Sequence, residues 1–312
     1  METTWRRCPL CQGTGGGGRF EAVDHREGLG GRFTIVECEQ CGLVRTEPVP
    51  ADLSAYYPST YQQHNANGLT ARVVSRAITH VAAGRGTAAT RALVARLIPD
   101  ADLGGALAPN ARVLDVGAGN GNAVRALAAA GVEAHGIEPD EGGVAAAREA
   151  GCSTLECGTL EESELRRQRW EVIRLFHVLE HVHDPVATLR VAGEALASDG
   201  RLVVAVPNVG GVPSRAFGRS WDGLEVPRHL VHFNRASLGR ALESAGLTVV
   251  SIKTTPLFGV LPGSVDAWIN RGRRQSGWGN SLAARVFAYP LELLCAALNA
   301  GDGLIAVARP RR

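Results

Sequence analysis

From Ala111 onward, short apolar runs alternate with amphipathic stretches. "RVLDVGAG" is an apolar run closed by glycines, and "GNAVRALAAAG" has helical periodicity ending at Gly131. The pair recurs as a strand at "VEAHGIEPD" and a helix at "DEGGVAAAREAG". Then come the strand-like "CSTLEC", a polar helix over "LEESELRRQ", the strand "WEVIRLFHV", the helix "DPVATLRVAGEALAS" and the strand "GRLVVAVP". Such alternation predicts a parallel sheet with helices on both faces, an α/β fold. After Pro207 the rhythm changes. A polar and aromatic insert at 208–234 precedes a helix at "RASLGRALESAG" and a strand at "LTVVSIKTTP". A second insert, 263–300, holds the apolar "SLAARVFAYPLELLCAALNAG", and "GDGLIAVARP" reads as a last strand. Upstream, Ala, Val, Leu and Arg recur at helical spacing from Leu69 to Ile98, broken by the glycines of "AAGRG". The expected organisation is a Cys- and Gly-rich unit at 1–50, a tyrosine-containing linker and helical lead-in at 51–108, and a main domain at 109–312.

Charge adds little direction. A net charge of +2 and no basic stripe count against a nucleic-acid partner. No apolar run reaches the length of a membrane span, and "METTWRRCPL" lacks the apolar core of a secretory signal, so a cytoplasmic location is expected. In a reducing compartment the seven cysteines need a reading other than disulfides. Cys152, Cys157 and Cys295 read as small buried hydrophobes. Cys8, Cys11, Cys38 and Cys41 differ, because two CxxC pairs suit four thiolates around a tetrahedral Zn2+. Such a site has no open position, so it holds shape; a redox pair would open a helix in a thioredoxin-like setting, and none is visible.

The chemistry concentrates in "VLDVGAGNG", residues 113–121. An apolar strand ends at Asp115, and Gly117, Gly119 and Gly121 let the chain turn sharply against a ligand before a helix begins. The spacing is GxGxG, unlike the GxGxxG of a dinucleotide site. Glu138 ends the next strand, where an acid can bond the two hydroxyls of a ribose.

With these residues the chain resembles the class I S-adenosylmethionine-dependent methyltransferases, over roughly 110–250 and more loosely to the C-terminus. The resemblance implies a Rossmann-like, seven-stranded, mostly parallel sheet with a small N-terminal zinc ribbon. It implies that Asp115 to Gly121 cradle the methionine end of S-adenosylmethionine, that Glu138 holds the ribose, and that "CGTLEE", with Gly158 and Thr159, lies against adenine. "HVLEHVHDP", residues 177–185, is similar to a family segment closing over the methionine part. That assigns His177 to the cofactor and Glu180 and His181 to the acceptor side, with His181 as proton acceptor assisted by Glu180. Metal binding by these residues ranks below such roles. Asp184 before Pro185 fits a helix N-cap. "WDGLEVPRHLVHF" resembles a PRHLxHF segment of one methyltransferase subset, which makes His229 a second candidate base and Arg228 and His232 candidate acceptor ligands. A structural role for these histidines stands beside that reading. Tyr56, Tyr57 and Tyr61 are candidates for a lid or acceptor wall, or for plain packing against the main domain.

The expected function is transfer of a methyl group from S-adenosylmethionine to oxygen or carbon of a small-molecule acceptor, glycosylated and lipid-linked acceptors included. The basic-then-apolar order of Arg271, Arg273, Arg274 and the 281–300 stretch suggests peripheral membrane contact, a domain-completing helix pair or a dimer contact. Two further readings stand: a zinc-bearing binding protein that keeps the fold without turnover, and a methyltransferase of nucleic acid or protein. Zinc-ribbon sugar C-methyltransferases look similar at the N-terminus but carry a long additional C-terminal domain that this chain does not match.

Overall fold

A computed structural model describes residues 5, 7–58, 69–108, 110–270, 279 and 281–311. The N-terminal strands are β1 (Gly16–Ala22), β2 (Phe33–Cys38) and β3 (Val44–Glu47), followed by helices α1 (Leu69–Ala82) and α2 (Ala88–Leu97). The main domain runs β4 (Arg112–Val116), α3 (Asn122–Ala129), β5 (Glu133–Glu138), α4 (Glu141–Glu149), β6 (Leu155–Cys157), β7 (Trp170–Phe176), α5 (Pro185–Glu194) and β8 (Leu196–Pro207). It continues with α6 (Val212–Phe217), β9 (Val231–His232), α7 (Arg235–Ser244), β10 (Leu247–Thr255), α8 (Val260–Ile269), α9 (Leu282–Ala297) and β11 (Gly303–Pro310).

Seven strands form one sheet in the order β10-β11-β8-β7-β4-β5-β6. β4 to β8 are parallel, while β11 runs antiparallel between β8 and β10. The central strands read as continuous apolar runs because both faces are covered. Leu114, Ile173 and Val204 point to one face with α5 and α7, and Val113, Val172 and Val203 point to the other with α1, α3 and α4. The strand order reverses beside β4, and in open α/β sheets that crevice is where ligands bind.

Two local expectations change. The polar helix over "LEESELRRQ" is only a 3-10 turn, Glu164–Arg167, since the segment has too few apolar positions to pack a longer helix. Cys157 is exposed at the end of β6, whereas Cys152 is buried and Cys295 half-buried.

A second sheet has the order β1-β2-β3-β9. Its last strand comes from the 208–234 insert, with Val44 opposite His232 and Arg45 opposite Val231. Phe33, Ile35 and Val44 share a core with Trp221, Leu224 and Val226 of that insert. The small sheet and the insert are thus packed as one body.

Candidate active site

Gly117, Gly119 and Gly121 all have positive φ, at 71°, 54° and 71°. A Cβ at Gly117 would lie 2.3 Å from Val178 Cγ2, so this turn excludes every side chain. Glu138 is folded back onto the loop: its Oε2 accepts from Gly119 N at 2.7 Å and its Oε1 from Asp140 N at 3.0 Å. Asn120 Nδ2 in the same loop is buried without a hydrogen-bond partner among the described residues. Asp115 is buried beside Arg174 at 3.6 Å; burial raises its carboxyl above the usual range, and Arg174 opposes the rise. Arg174, in the middle of β7, stacks on Phe176 at 4.2 Å.

This loop opens on a cavity of about 990 Å³ lined on one side by Asp115, Gly117, Asn122, Arg174 and His177. Arg26, Asp222, Glu225 and His229 line another part of it. His177 sits directly after β7 with φ 56°, a left-handed conformation that a side chain adopts at some cost. Its Nδ1 is 3.1 Å from Glu180 Oε1. Burial alone would lower the His177 pKa, but the bond and charge of Glu180 outweigh it and hold the imidazole above its ordinary value. Glu180 is almost fully buried; desolvation would raise its pKa, yet the His177 hydrogen bond and the surrounding histidines hold it below normal.

His181 makes a separate set of contacts beside the same carboxylate. Its Nδ1 lies 3.0 Å from the Tyr57 hydroxyl and 3.0 Å from Arg228 O, and its ring meets His229 edge-on at 4.7 Å. One ligand-type atom from each of Glu180, His181 and His229 falls within 4.8 Å of the others. His229 Nδ1 pairs with Gly223 O at 3.0 Å, and burial lowers its pKa to about 4 against the pull of Glu225. Burial also takes His232 down to about 3, with Thr46 Oγ1 3.0 Å from its Nε2.

The expected acceptor ligands fare unevenly. Arg228 has no exposed surface. Its two terminal nitrogens grip Asp24 at 2.8 and 3.0 Å, its Nε reaches Glu225 at 3.2 Å, and Tyr56 O accepts a further bond at 3.0 Å. Arg228 therefore clamps the N-terminal loop to the insert and does not reach the cavity. His232 is likewise a buried strand residue. Tyr56 packs edge-on against Phe33 and donates to Gly30 O at 3.0 Å, so it belongs to the small sheet. Tyr57 is held at His181, and burial together with the Glu225 charge raises its pKa. Tyr61, Arg271, Arg273 and Arg274 lie outside the described residues. Gly158 follows β6 and donates to Glu138 O at 3.0 Å, while the Thr159 hydroxyl is spent on Glu162 at 2.9 Å.

A family model described as "Methyltransferase domain" matches residues 85–252, more than half of the chain. The chain belongs to this methyltransferase family. Among curated proteins, the methyltransferase chain is 34% identical over 102 residues to a ubiquinone biosynthesis O-methyltransferase of Azorhizobium caulinodans. The corresponding Bradyrhizobium diazoefficiens protein is 33% identical over 102 residues. Each match covers 31% of this chain and 40% of the relative, so the chain spans about two fifths of the length of the curated relatives it matches. Solved structures similar to this methyltransferase include an S-adenosylmethionine-dependent methyltransferase from Mesorhizobium loti, at 20% identity and TM-score 0.45 over 65% of this chain and 93% of that one. Another is the CcbJ methyltransferase from Streptomyces caelestis, at 18% identity and TM-score 0.43 over 77% of this chain and 98% of that one.

Arg26, Asp222, Glu225 and Arg174 of this methyltransferase join the site without having been expected there, and Asp24 anchors Arg228 behind it. Arg174 had a signal, a charge inside the otherwise apolar run "VIRLF" of the central strand. Asp24 and Arg26 had none, since they meet Glu225 and Arg228 only through the fold; Arg26 pairs directly with Glu225.

The cysteines converge as well. Cys8 Sγ is 3.5 Å from Cys41 Sγ and Cys11 Sγ 3.6 Å from Cys38 Sγ. All four thiols lie within 4.8 Å of one another. Four Zn–S bonds of about 2.3 Å require sulfurs roughly 3.8 Å apart, so the cluster is compatible with a zinc ribbon. Each pair ends in a left-handed residue, Gln12 at φ 61° and Gly42 at φ 70°, whose amides return to Cys8 O and Cys38 O at 2.9 and 2.8 Å.

Proposed function

We propose that this protein transfers a methyl group from S-adenosylmethionine to a hydroxyl or acidic carbon of a small, polar-headed acceptor. The observation that carries the proposal is the three-glycine turn, braced by Glu138, whose Gly117 lines one cavity together with His177 and His229. Glu138 and the loop amides would hold the ribose and methionine portions, and the unpartnered Asn120 amide supplies a free donor there. S-adenosylmethionine contributes an electrophilic methyl group on a sulfonium.

The proton of the acceptor goes to His177 in this reading. With Nδ1–H donated to Glu180, the Nε2 lone pair faces proton transfer, and the buried carboxylate stabilises the imidazolium that forms. The base pair is then His177–Glu180, in place of His181–Glu180. His181 acts behind it, joining Tyr57 to His229. Arg26, Asp222 and Glu225 offer charged hydrogen-bonding groups suited to an acceptor rich in hydroxyls. Four thiolates holding a structural Zn2+ and a cytoplasmic location complete the proposal.

Calorimetric titration with S-adenosylhomocysteine tests the first part. Saturable binding that weakens at least tenfold in Glu138→Ala is expected, and no binding by the parent protein sinks the proposal. With a turnover assay in hand, Glu180→Gln should lower kcat and shift the acidic limb of its pH profile. An unchanged profile removes His177–Glu180 as the base.

A further inference from the structure

Helix α9 is built inside out. Its solvent side carries Leu282, Val286, Phe287, Leu291 and Leu294, continued by Leu298 just past its end, and Phe287 is 90% exposed. At helical spacing these positions fall within about half of the circumference. The charged residues of the helix lie on the other side. Glu292 is 1% exposed and accepts from Leu261 N at 3.1 Å, and Arg285 lies against Gly259. Tyr289 donates to Leu97 O of α2 and meets Phe258 edge-on at 5.3 Å. These contacts fix the helix rotation, so the apolar face is turned outward by construction.

The neighbouring helices extend the surface with positive charge. On α1, Leu69, Arg72, Val73 and Arg76 stand at i, i+3, i+4 and i+7, all exposed. On α2, Leu93, Arg96 and Leu97 do the same. Among the residues of α1, α2 and α9, the acid is the buried Glu292, and no exposed one accompanies it. α2 adjoins α9 across a cleft that Ala95 and Arg96 share with Leu293 and Ala296. The active-site cavity reaches solvent beside these helices, where Thr70 and Ala71 of α1 and Phe258 and Arg285 line it.

Exposed leucines are interleaved with arginines, with no exposed carboxylate on the three helices and, among the described residues of the cleft beside Arg96, only the half-buried Asp102. This pattern matches the chemistry of an anionic lipid surface, where the side-chain stems bury and the guanidinium groups meet phosphates. A second copy of the chain suits it poorly, because a two-fold contact would set arginines against arginines with no exposed acid of these helices between them. We propose that α1, α2 and α9 form a docking surface for an anionic phospholipid bilayer, which brings the mouth of the cavity to the membrane. The docking does not depend on the reaction assigned above.

Sedimentation of the full chain with vesicles of phosphatidylcholine plus phosphatidylglycerol, and with phosphatidylcholine alone, tests the surface. Binding to the anionic vesicles is expected, weakened about tenfold or more without phosphatidylglycerol, since each basic residue near the surface contributes severalfold. The double variant Phe287→Asp/Leu291→Asp should abolish pelleting while keeping its melting temperature, as both side chains are exposed. The milder Arg72→Gln/Arg96→Gln should lose the preference for anionic vesicles. No pelleting of the parent overturns the proposal, as does pelleting that the double variant leaves unchanged. A dimer in light scattering that the double variant disperses, without vesicle binding by the parent, assigns the face to a second copy and also overturns it.

Discussion

The glycine loop and the histidine–carboxylate cluster border one cavity, yet they are made of different material. The loop is backbone: amides of consecutive residues, three left-handed glycines and one carboxylate from the adjacent strand β5. The cluster is side chain, drawn from Asp24–Arg26, Tyr57, His177–His181 and Asp222–His232, with nearly every charge buried and paired. A backbone site is local in sequence and fails through sterics. A side-chain site is assembled over the whole chain and fails when one buried charge loses its partner.

The largest effect is expected at the cysteines. Cys38→Ser should release the metal and disorder the small sheet, because structural zinc contributes on the order of 10 kcal/mol to such folds. The acceptor side should lose its Asp24–Arg228 clamp while binding of S-adenosylhomocysteine persists. Metal analysis, together with calorimetry of the variant, decides whether the two halves separate in this way. Next, Asp24→Ala removes the bidentate carboxylate from the buried Arg228 and leaves it Glu225 and Tyr56 O, which should cost about 3 kcal/mol in chemical denaturation, against clearly less for Asp24→Asn. Equal losses in the two would mean that the charge is not the clamp. Gly117→Ala places a methyl against Val178 at a left-handed position, so cofactor affinity should fall about 100-fold, equivalent to ~3 kcal/mol. Its melting temperature should fall as well, because the strain of the methyl is carried by the folded state whether or not the cofactor is bound.

The pH response separates the halves more gently. His229 and His232 are held at about 4 and about 3, below their ordinary 6.5, so the unfolded chain binds protons first. Their contribution is present above pH 6.5 and is lost as pH falls toward 4, on the order of a few kcal/mol. Glu292 and Asp302, raised by burial to about 7, lose stability as pH rises through the same window and mask the effect in the parent. The raised His177 adds stability present below 6.5 and lost as pH rises through its folded value, and the lowered Glu180 adds stability lost as pH falls through its own. The informative quantity is therefore the difference between parent and His232→Gln, which should shrink from pH 7 to pH 5 in denaturant titrations. A constant difference would show that His232 is not buried neutral. The smallest effect belongs to Tyr57→Phe, about 1 kcal/mol, since His181 keeps Arg228 O as a partner.

The same contrast explains what the sequence discloses. The strand–loop–helix run through "VLDVGAGNG", Glu138 and the Asp184 cap are contiguous or periodic features, and Asp184 Oδ1 does accept from Ala187 N at 2.9 Å. The two CxxC pairs likewise announce themselves by spacing. The acceptor side does not, because no local pattern says that Asp24 will meet Arg228 or that Tyr57 will meet His181. Motif resemblance places Glu180 beside His181, adjacent in sequence, and the left-handed turn at His177 brings a second ring to the same carboxylate, within hydrogen-bond reach. Arg228 and His232 look like ligands because they are polar within a motif, and only burial reveals that they hold the walls.

The two-residue strand β9 carries one more implication. Val231 and His232 complete a sheet whose first three strands lie about two hundred positions earlier, while the flanking His229 faces the cavity. Replacing the cysteine-bearing segment alone would break the β3–β9 pairing and the core that it shares with the wall of the pocket. Chimeras joined between β3 and α1 should consequently inherit neither parent's acceptor preference unless residues 221–233 travel with the N-terminal piece.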